Sequence, residues 1–190
     1  MKRLQRTNPV PKTGIVHLGP GAFFRAFNAV FTDEAMAISG GDWGICAVSL
    51  QSRITHDALA PQDWVYCAVS MSADGEHVRK IEAITSVMIA AEDPGAVIEA
   101  MADPKIHILS MTITEKGYGF DPKTGGLDRN HPDITQDLMT PDVPRSAVGF
   151  IVAALKLRWQ NGLPPFTVLS CDNLPNNGAV ARAVISKIVT

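Results

Sequence analysis

The segment Ile15–Ala26 constrains the fold more than any other part of the chain, because it joins an apolar run to two closely spaced glycines and a helical pattern. The apolar run ends at Gly19, and Gly21 follows two positions later. A strand, a Gly-x-Gly turn and a helix form the βα unit that binds a dinucleotide pyrophosphate. A plain strand–turn–helix connection has the same pattern, and Phe24 replaces the third glycine of the fingerprint, so both interpretations stay open here.

Further apolar runs alternate with helical patterns, which is typical of parallel strands that helices cover on both faces. Asp74–Gly75 separates two strand-like runs and predicts an antiparallel hairpin at one edge of the sheet. The fold class is therefore α/β, a Rossmann-like, doubly wound and mostly parallel sheet with a β-hairpin excursion. The predicted strands cover residues 14–18, 42–50, 63–70, 76–84, 105–114 and 166–170, and the predicted helices cover residues 22–39, 94–101, 146–160 and 177–189.

Three parts of this pattern carry more specific expectations. Residues 115–144 are polar and rich in turn residues, which predicts a long functional or mobile loop. His17 lies inside an apolar strand and is expected to be a packed core histidine. Helix 22–39 is expected to face the core with its periodic apolar side chains, which are Phe23, Phe27, Val30, Phe31 and Ile38.

Composition and charge narrow the class of partner. The 190 residues, 46% of them hydrophobic, suffice for one compact domain. A net charge of −2 gives no basis for binding nucleic acid or an anionic membrane, and no apolar run reaches membrane-spanning length. Cys46, Cys67 and Cys171 lack Cys-x-x-Cys spacing, so we expect three reduced thiols in a cytoplasmic protein. No metal-ligand spacing occurs, and the sequence does not indicate an oligomeric state.

Polar clusters follow three of the predicted strands, where a parallel sheet binds its ligands. They are residues 19–21, 112–118 and 170–173. Each cluster alone is also compatible with a strand end or a helix N-cap, and Asp172 or Asn173 is suited to capping the next helix. Their common position at one sheet edge favours a binding site.

The end of the second strand bears on the choice between NAD and NADP. An acidic residue there binds the ribose 2′-hydroxyl, whereas an arginine accepts a 2′-phosphate. This chain has Gln51-Ser52-Arg53, with no acid before Asp57. A solvated Arg53 at the start of a short helix fits the same sequence, so cofactor choice stays open at this point.

Three motifs resemble the N-terminal domain of the long-chain mannitol dehydrogenase family. They are Ile-Val-His-Leu-Gly-Pro-Gly-Ala-Phe-Phe-Arg-Ala at residues 15–26, Thr-Ile-Thr-Glu-Lys-Gly-Tyr at residues 112–118, and Ser-Cys-Asp-Asn-Leu-Pro-Asn-Asn-Gly at residues 170–178. They occur in the family's order and span nearly the whole chain. Within the family, the likeness is strongest to the D-mannonate oxidoreductases, also called fructuronate reductases.

This resemblance implies a metal-independent interconversion of a secondary alcohol and its ketone, with NAD as the cofactor and NADP left open. The expected substrate pair is D-mannonate and D-fructuronate. Mannitol 2-dehydrogenase and tagaturonate reductase activities are close alternatives. A dinucleotide-binding module without catalysis is the alternative from another class.

The resemblance also implies roles for particular residues. The amide of Asn173 is expected to polarise the reacting oxygen, since a fixed N–H donor stabilises developing alkoxide charge. Thr114, Glu115 and Lys116 are expected to line the substrate cleft. The expected cofactor-binding residues are Leu18, Gly19, Pro20, Gly21, Ala22, Phe23, Phe24, Arg25, Gln51, Arg53 and Thr112.

Two departures from the family pattern affect the expected activity. Phe24 and Phe27 stand where the family usually has histidines. The family's catalytic lysine belongs to a helical C-terminal domain, in a Lys-x-x-x-Leu-Asn-x-x-His motif that this chain lacks, and Lys116 is not its equivalent. The chain stops at Thr190 directly after an apolar helical turn. We therefore expect residues 1–190 to be an N-terminal dinucleotide-binding domain that binds cofactor but does not turn over substrate alone.

Overall fold

A computed structural model describes residues 3–188 and shows a parallel sheet between two layers of helices. The strands are β1 (Thr13–Leu18), β2 (Gly44–Ser49), β3 (Tyr66–Ser72), β4 (Gly75–Ile81), β5 (Ile84–Ile89), β6 (Ile108–Met111), β7 (Phe120–Asp121), β8 (Gly126–Leu127) and β9 (Thr167–Ser170). The helices are α1 (Ala22–Ala26), α2 (Asn28–Ser39), α3 (Ile54–Leu59), α4 (Pro94–Ala102), α5 (Thr114–Gly117), α6 (Pro132–Met139), α7 (Ala147–Gln160) and α8 (Asn177–Ile188).

The main sheet has the strand order β5-β2-β1-β6-β9, and every neighbouring pair is parallel. From β1 the chain builds outward through β2 to β5, then crosses to the other side of β1 and continues through β6 to β9. The strand order therefore reverses between β1 and β6, which is where a doubly wound sheet opens a crevice for ligands. The predicted Rossmann-like fold is confirmed.

Alternating side chains of β1 feed two hydrophobic cores on opposite faces of the sheet. Val16 and Leu18 pack in the core formed with α4, α7 and α8, whereas Ile15 packs in the core that contains Phe24 and Ala29. Helices thus cover both faces, which explains why the strands are apolar almost throughout.

Local capping starts two helices where the sequence predicts them. The Asp93 carboxylate accepts from the Ala96 N–H at 2.9 Å, and the Ser146 hydroxyl accepts from the Gly149 N–H at 2.9 Å. The last predicted helix is present as α8, while Val189 at its predicted end and the terminal Thr190 lie outside the described residues.

The predicted helix 22–39 is wrong in its continuity and in its buried face. Its backbone breaks at Phe27, where φ is −125° and ψ is −75°, so α1 and α2 are separate helices. The core instead receives Phe24 and Ala29. Most of the predicted face points to solvent, with exposures of 54% for Phe23, 48% for Phe27, 62% for Phe31 and 84% for Ile38.

Two other expectations need correction. The hairpin β3–β4 forms a two-stranded sheet of its own, and the edge of the main sheet is β5, a parallel strand that the sequence analysis did not separate from β4. Residues 115–144 are not a structureless loop, because they contain most of α5, the β7–β8 pair and α6.

The buried Asp137 fastens this segment to α7. Its carboxylate accepts from the N–H of Arg145 at 2.6 Å and from both the N–H and the hydroxyl of Ser146, at 3.1 and 2.5 Å. We predict that Asp137→Ala lowers the free energy of unfolding by about 3 kcal/mol, because it leaves buried donors unpaired. Asp142→Ala, which removes an exposed acid from the same segment, should change it by less than about 0.5 kcal/mol in the same urea titration. Equal effects of the two variants would contradict this role.

Candidate functional site

The turn that follows β1 requires glycine at its first position. Gly19 has a φ of +90°, and a Cβ built there lies 2.2 Å from the backbone oxygen of Thr112. The Gly19 N–H donates to the Val48 oxygen at 2.9 Å, so the turn also rests on β2. Only a residue without a side chain lets the backbone turn this tightly against β6.

Gly21 differs from Gly19, because the space above it is open. The nearest atom to a Cβ built at Gly21 is the Gly19 oxygen, 4.0 Å away. Gly21 is the N-cap of α1 and no side chain caps this helix end. The first N–H groups of a helix have no intrahelical acceptor, so those of Ala22 and Phe23 are available to a ligand that approaches Gly21.

His17 ties β1 to β6 beneath this turn. Its Nδ1 lies 2.8 Å from the Ser110 hydroxyl, and its Nε2 lies 3.0 Å from the Thr112 hydroxyl and 3.2 Å from the Gly19 oxygen. The ring is fully buried and stacks on Phe24, with 3.7 Å between ring centroids. Burial lowers the pKa of His17 to about 3, against a smaller raising effect of the Gly19 hydrogen bond, so the imidazole is neutral. The predicted core histidine is confirmed.

The predicted cofactor residues of this turn divide by exposure. Leu18, Pro20 and Phe24 are buried, so they would meet a ligand through their backbone, whereas Ala22 and Phe23 are exposed. Two of these residues, Leu18 and Phe24, belong to opposite cores.

Arg25 braces the turn from behind. Its guanidinium donates to the Pro20 oxygen at 2.6 Å and to the Thr55 hydroxyl at 3.2 Å. The Tyr66 hydroxyl donates to the Arg25 backbone oxygen at 2.5 Å. The guanidinium therefore fixes the carbonyl between the two glycines, a positioning contact that the sequence analysis did not foresee.

Asp172 joins the other two polar clusters. Its carboxylate accepts from the N–H groups of Ile113 and Thr114, at 3.2 and 3.1 Å, and from the Tyr118 hydroxyl at 2.7 Å. Burial raises the pKa of Tyr118, so its hydroxyl remains a donor. The sequence suggested a helix cap for Asp172, whereas the structure shows a clamp between the loops after β6 and β9.

Asn173 stands at the exposed side of this clamp. Its side chain makes no hydrogen bond within residues 3–188, and Thr114, Glu115 and Lys116 on α5 are likewise exposed. Thr112 contacts Gly19 through a 2.7 Å hydrogen bond from its hydroxyl, so contacts run along the sheet edge from the glycine turn to the α5 loop.

The β2 end places Gln51 and Arg53 at the surface. Arg53 forms ion pairs with Asp57 at 3.3 Å and with Glu92. The sequence analysis missed Glu92, because this residue follows the β3–β4 hairpin along the chain and no rule of sequence spacing connects it to β2.

No group of three metal-ligating side chains occurs among residues 3–188. None of the helices there has the length and apolar character that crossing a membrane requires. The three cysteines are unpaired.

A tight glycine turn at the switch point of a doubly wound sheet defines an α/β domain of Rossmann type, the class that binds dinucleotides at this edge. Residues 13–190 match the family model described as the mannitol dehydrogenase Rossmann domain. The chain therefore belongs to the mannitol dehydrogenase family.

Similar proteins are much longer than this chain. It is 47% identical to the uncharacterized oxidoreductase YeiQ of Escherichia coli K12, over 90% of this chain and 36% of that protein. It is 44% identical to a mannitol 2-dehydrogenase of Aspergillus clavatus, over 94% of this chain and 36% of that protein. The Pseudomonas fluorescens mannitol 2-dehydrogenase, solved as a ternary complex with NAD and D-mannitol, matches 98% of this chain and 39% of its own, with 39% identity and a TM-score of 0.91.

The two glycines of the turn should respond differently to the same substitution. We predict that Gly19→Ala lowers the free energy of unfolding by about 2 kcal/mol or more, because the new Cβ meets the Thr112 oxygen at positive φ. Gly21→Ala should stay within about 0.5 kcal/mol of the parent, since its Cβ meets no close atom. Urea unfolding of both variants measures this, and a Gly19→Ala variant as stable as the parent would contradict the turn geometry.

His17 should make folding stability depend on pH. Its pKa is about 3 in the folded protein against 6.5 ordinarily, so between these values only the unfolded chain takes up the proton. Stability is then fully present above pH 6.5 and falls as the pH decreases, by up to about 1.4 kcal/mol per pH unit.

Urea titrations across this pH range test the expectation. The stability of His17→Gln should fall less steeply with pH than that of the parent, although the variant is less stable overall. His77→Gln, at an exposed position, should keep the parent's slope. Parallel slopes for all three proteins would show that His17 does not cause the dependence.

Proposed function

We propose that this domain binds NAD(H) over the glycine turn and forms the cofactor half of an oxidoreductase that interconverts a secondary alcohol and a ketone of a linear polyol or sugar acid. The observation that carries the proposal is the open backbone at Gly21, beside a helix end without a cap, at the switch point of the sheet. The similar Pseudomonas fluorescens structure, a ternary complex with NAD and D-mannitol, supports it.

The residues of the turn fit a pyrophosphate. The N–H groups of Ala22 and Phe23 would donate to its oxygens, and the absent side chain at Gly21 leaves room for close approach. Arg25 holds the Pro20 carbonyl and so keeps the turn rigid. Bound NAD would supply the hydride acceptor, and the turn would position it.

Asn173 is proposed as the group that contacts the reacting oxygen. Its amide N–H₂ would donate to that oxygen and stabilise the negative charge that develops there as hydride leaves the carbon. The Asp172 clamp, immediately before it, limits the movement of this loop. Thr114, Glu115 and Lys116 would form one wall of the cleft, within reach of the substrate hydroxyls.

The finer proposal is that the substrate pair is D-mannonate and D-fructuronate, supported by the likeness of residues 15–26, 112–118 and 170–178 to fructuronate reductases. Mannitol is the alternative that the names of the similar proteins favour. The chain spans 36–39% of the proteins compared above, and we propose that a separate helical domain supplies the catalytic lysine and the opposite wall. A cytoplasmic location and a small-molecule partner belong to the same proposal.

Binding of NADH tests the cofactor site directly. We predict that Gly21→Ala weakens NADH binding at least about tenfold in calorimetry, because its Cβ occupies the path of the pyrophosphate. Gly178→Ala, whose Cβ also meets open space but lies in α8, should bind like the parent. An unaltered affinity in Gly21→Ala would place the cofactor elsewhere.

Turnover by the full-length gene product tests the reaction. We expect NADH oxidation to be fastest with D-fructuronate, slower with D-tagaturonate and slowest with D-fructose. Asn173→Ala should lower kcat about 100-fold or more while leaving NADH affinity unchanged. Asn130→Ala, an exposed asparagine outside the site, serves as its control.

The outcomes of this assay separate the alternatives. A clear preference for D-fructose would reject the sugar-acid substrate and favour a mannitol 2-dehydrogenase. NADH binding without hydride transfer to any of the three compounds would favour the non-catalytic module.

A further inference from the structure

Arg53 lies where a doubly wound fold receives the adenosine ribose, and its charge is already compensated. It lies four positions after the end of β2 and occupies the N-cap position of α3, where its side chain makes no capping hydrogen bond. Its guanidinium is ion-paired with Glu92 from the β5–α4 turn and, at 3.3 Å, with Asp57 one helical turn away. Two carboxylates therefore already pair with Arg53, the residue after β2 that the sequence analysis considered for binding a 2′-phosphate.

The backbone fixes Glu92 in this place. After β5 and β2 end, the Ala90 N–H donates to the Ser49 oxygen at 2.8 Å, and the Ala91 N–H donates to the Leu50 oxygen at 3.1 Å. The Glu92 N–H then donates back to the Ile89 oxygen at 3.1 Å, which closes a tight turn before α4. Sheet pairing thus fixes the Glu92 backbone beside the end of β2, from where its exposed side chain reaches Arg53.

This arrangement of charges would distinguish the ribose 2′-hydroxyl of NAD from the 2′-phosphate of NADP. A ribose 2′-hydroxyl is neutral and donates a hydrogen bond to a carboxylate, which matches the acid that this fold class uses for NAD. A 2′-phosphate would have to displace Glu92 from Arg53 and then lie beside two carboxylates. Like-charge contact of this kind weakens the binding of NADP more than it strengthens the binding of NAD.

We propose that Glu92 determines the preference of this domain for NAD over NADP, by accepting the ribose 2′-hydroxyl and by keeping Arg53 from a 2′-phosphate. The inference rests on the proposed function and deepens it. A residue from the β5 side takes the place of the acid that is missing directly after β2, where the chain has Gln51, Ser52 and Arg53.

Calorimetric dissociation constants for NAD and NADP test this, with each variant checked for folding by circular dichroism. The parent should bind NAD more tightly than NADP. Glu92→Gln should shift the ratio of the two constants at least about tenfold towards NADP, because it frees Arg53 and removes the acceptor. Glu99→Gln removes the same charge from an exposed position of α4 without an ion pair among residues 3–188, and should leave the ratio unchanged.

The double variant Arg53→Gln/Glu92→Gln isolates the role of Arg53. Its NADP affinity should fall back towards the parent value, whereas Arg53→Gln alone should change NADP affinity little. If Glu92→Gln binds NAD normally and shifts the ratio of the NAD and NADP dissociation constants no more than Glu99→Gln does, the inference is overturned. The proposed function would still stand in that case. A parent that prefers NADP would also overturn the inference, and a parent that binds neither dinucleotide would contradict the proposed function itself.

Discussion

The close contact between Gly19 and Thr112 is the constraint on which the site depends. Because Gly19 has no side chain, the turn after β1 packs directly on the end of β6, and the Thr112 hydroxyl donates to the Gly19 oxygen at 2.7 Å. The neutral ring of His17 completes the contact from below. The turn is thereby set at the switch point of the sheet, with Gly21 facing open space.

Rigidity at the two ends of the sheet edge has different sources. The glycine turn is held by side chains that reach back to its carbonyls, from Thr112 and from Arg25. The α5 loop is held by one carboxylate, Asp172, which accepts from two backbone N–H groups and a tyrosine. In both places the bracing leaves a position open to a ligand: the space above Gly21 is empty, and the exposed Asn173 side chain makes no hydrogen bond among residues 3–188.

The sequence predicted those features that local chemistry decides. Apolar runs covered by helices identified the parallel strands, and Asp93 and Ser146 marked helix starts because capping depends on neighbouring residues alone. Features set by tertiary contacts were missed. Phe24 and Ala29, rather than Phe23 and Phe31, are buried because of how α1 and α2 pack on the sheet. Glu92 pairs with Arg53 because of the order of the strands, and no periodicity in the sequence records either feature.

A titration of the labelled protein with NADH, followed by the backbone amide signals in NMR, tests the central claim most directly. If NADH binds over the glycine turn, the largest shifts are expected at Gly21, Ala22 and Phe23, with smaller ones at Thr112. A neighbouring groove of about 520 Å³ opens between α1, α2 and the β3–β4 hairpin. Because Ala22 also lines this groove, the contrast rests on its hairpin residues Val69, His77 and Arg79. Shifts confined to those hairpin residues, or no shifts at all, would contradict the account.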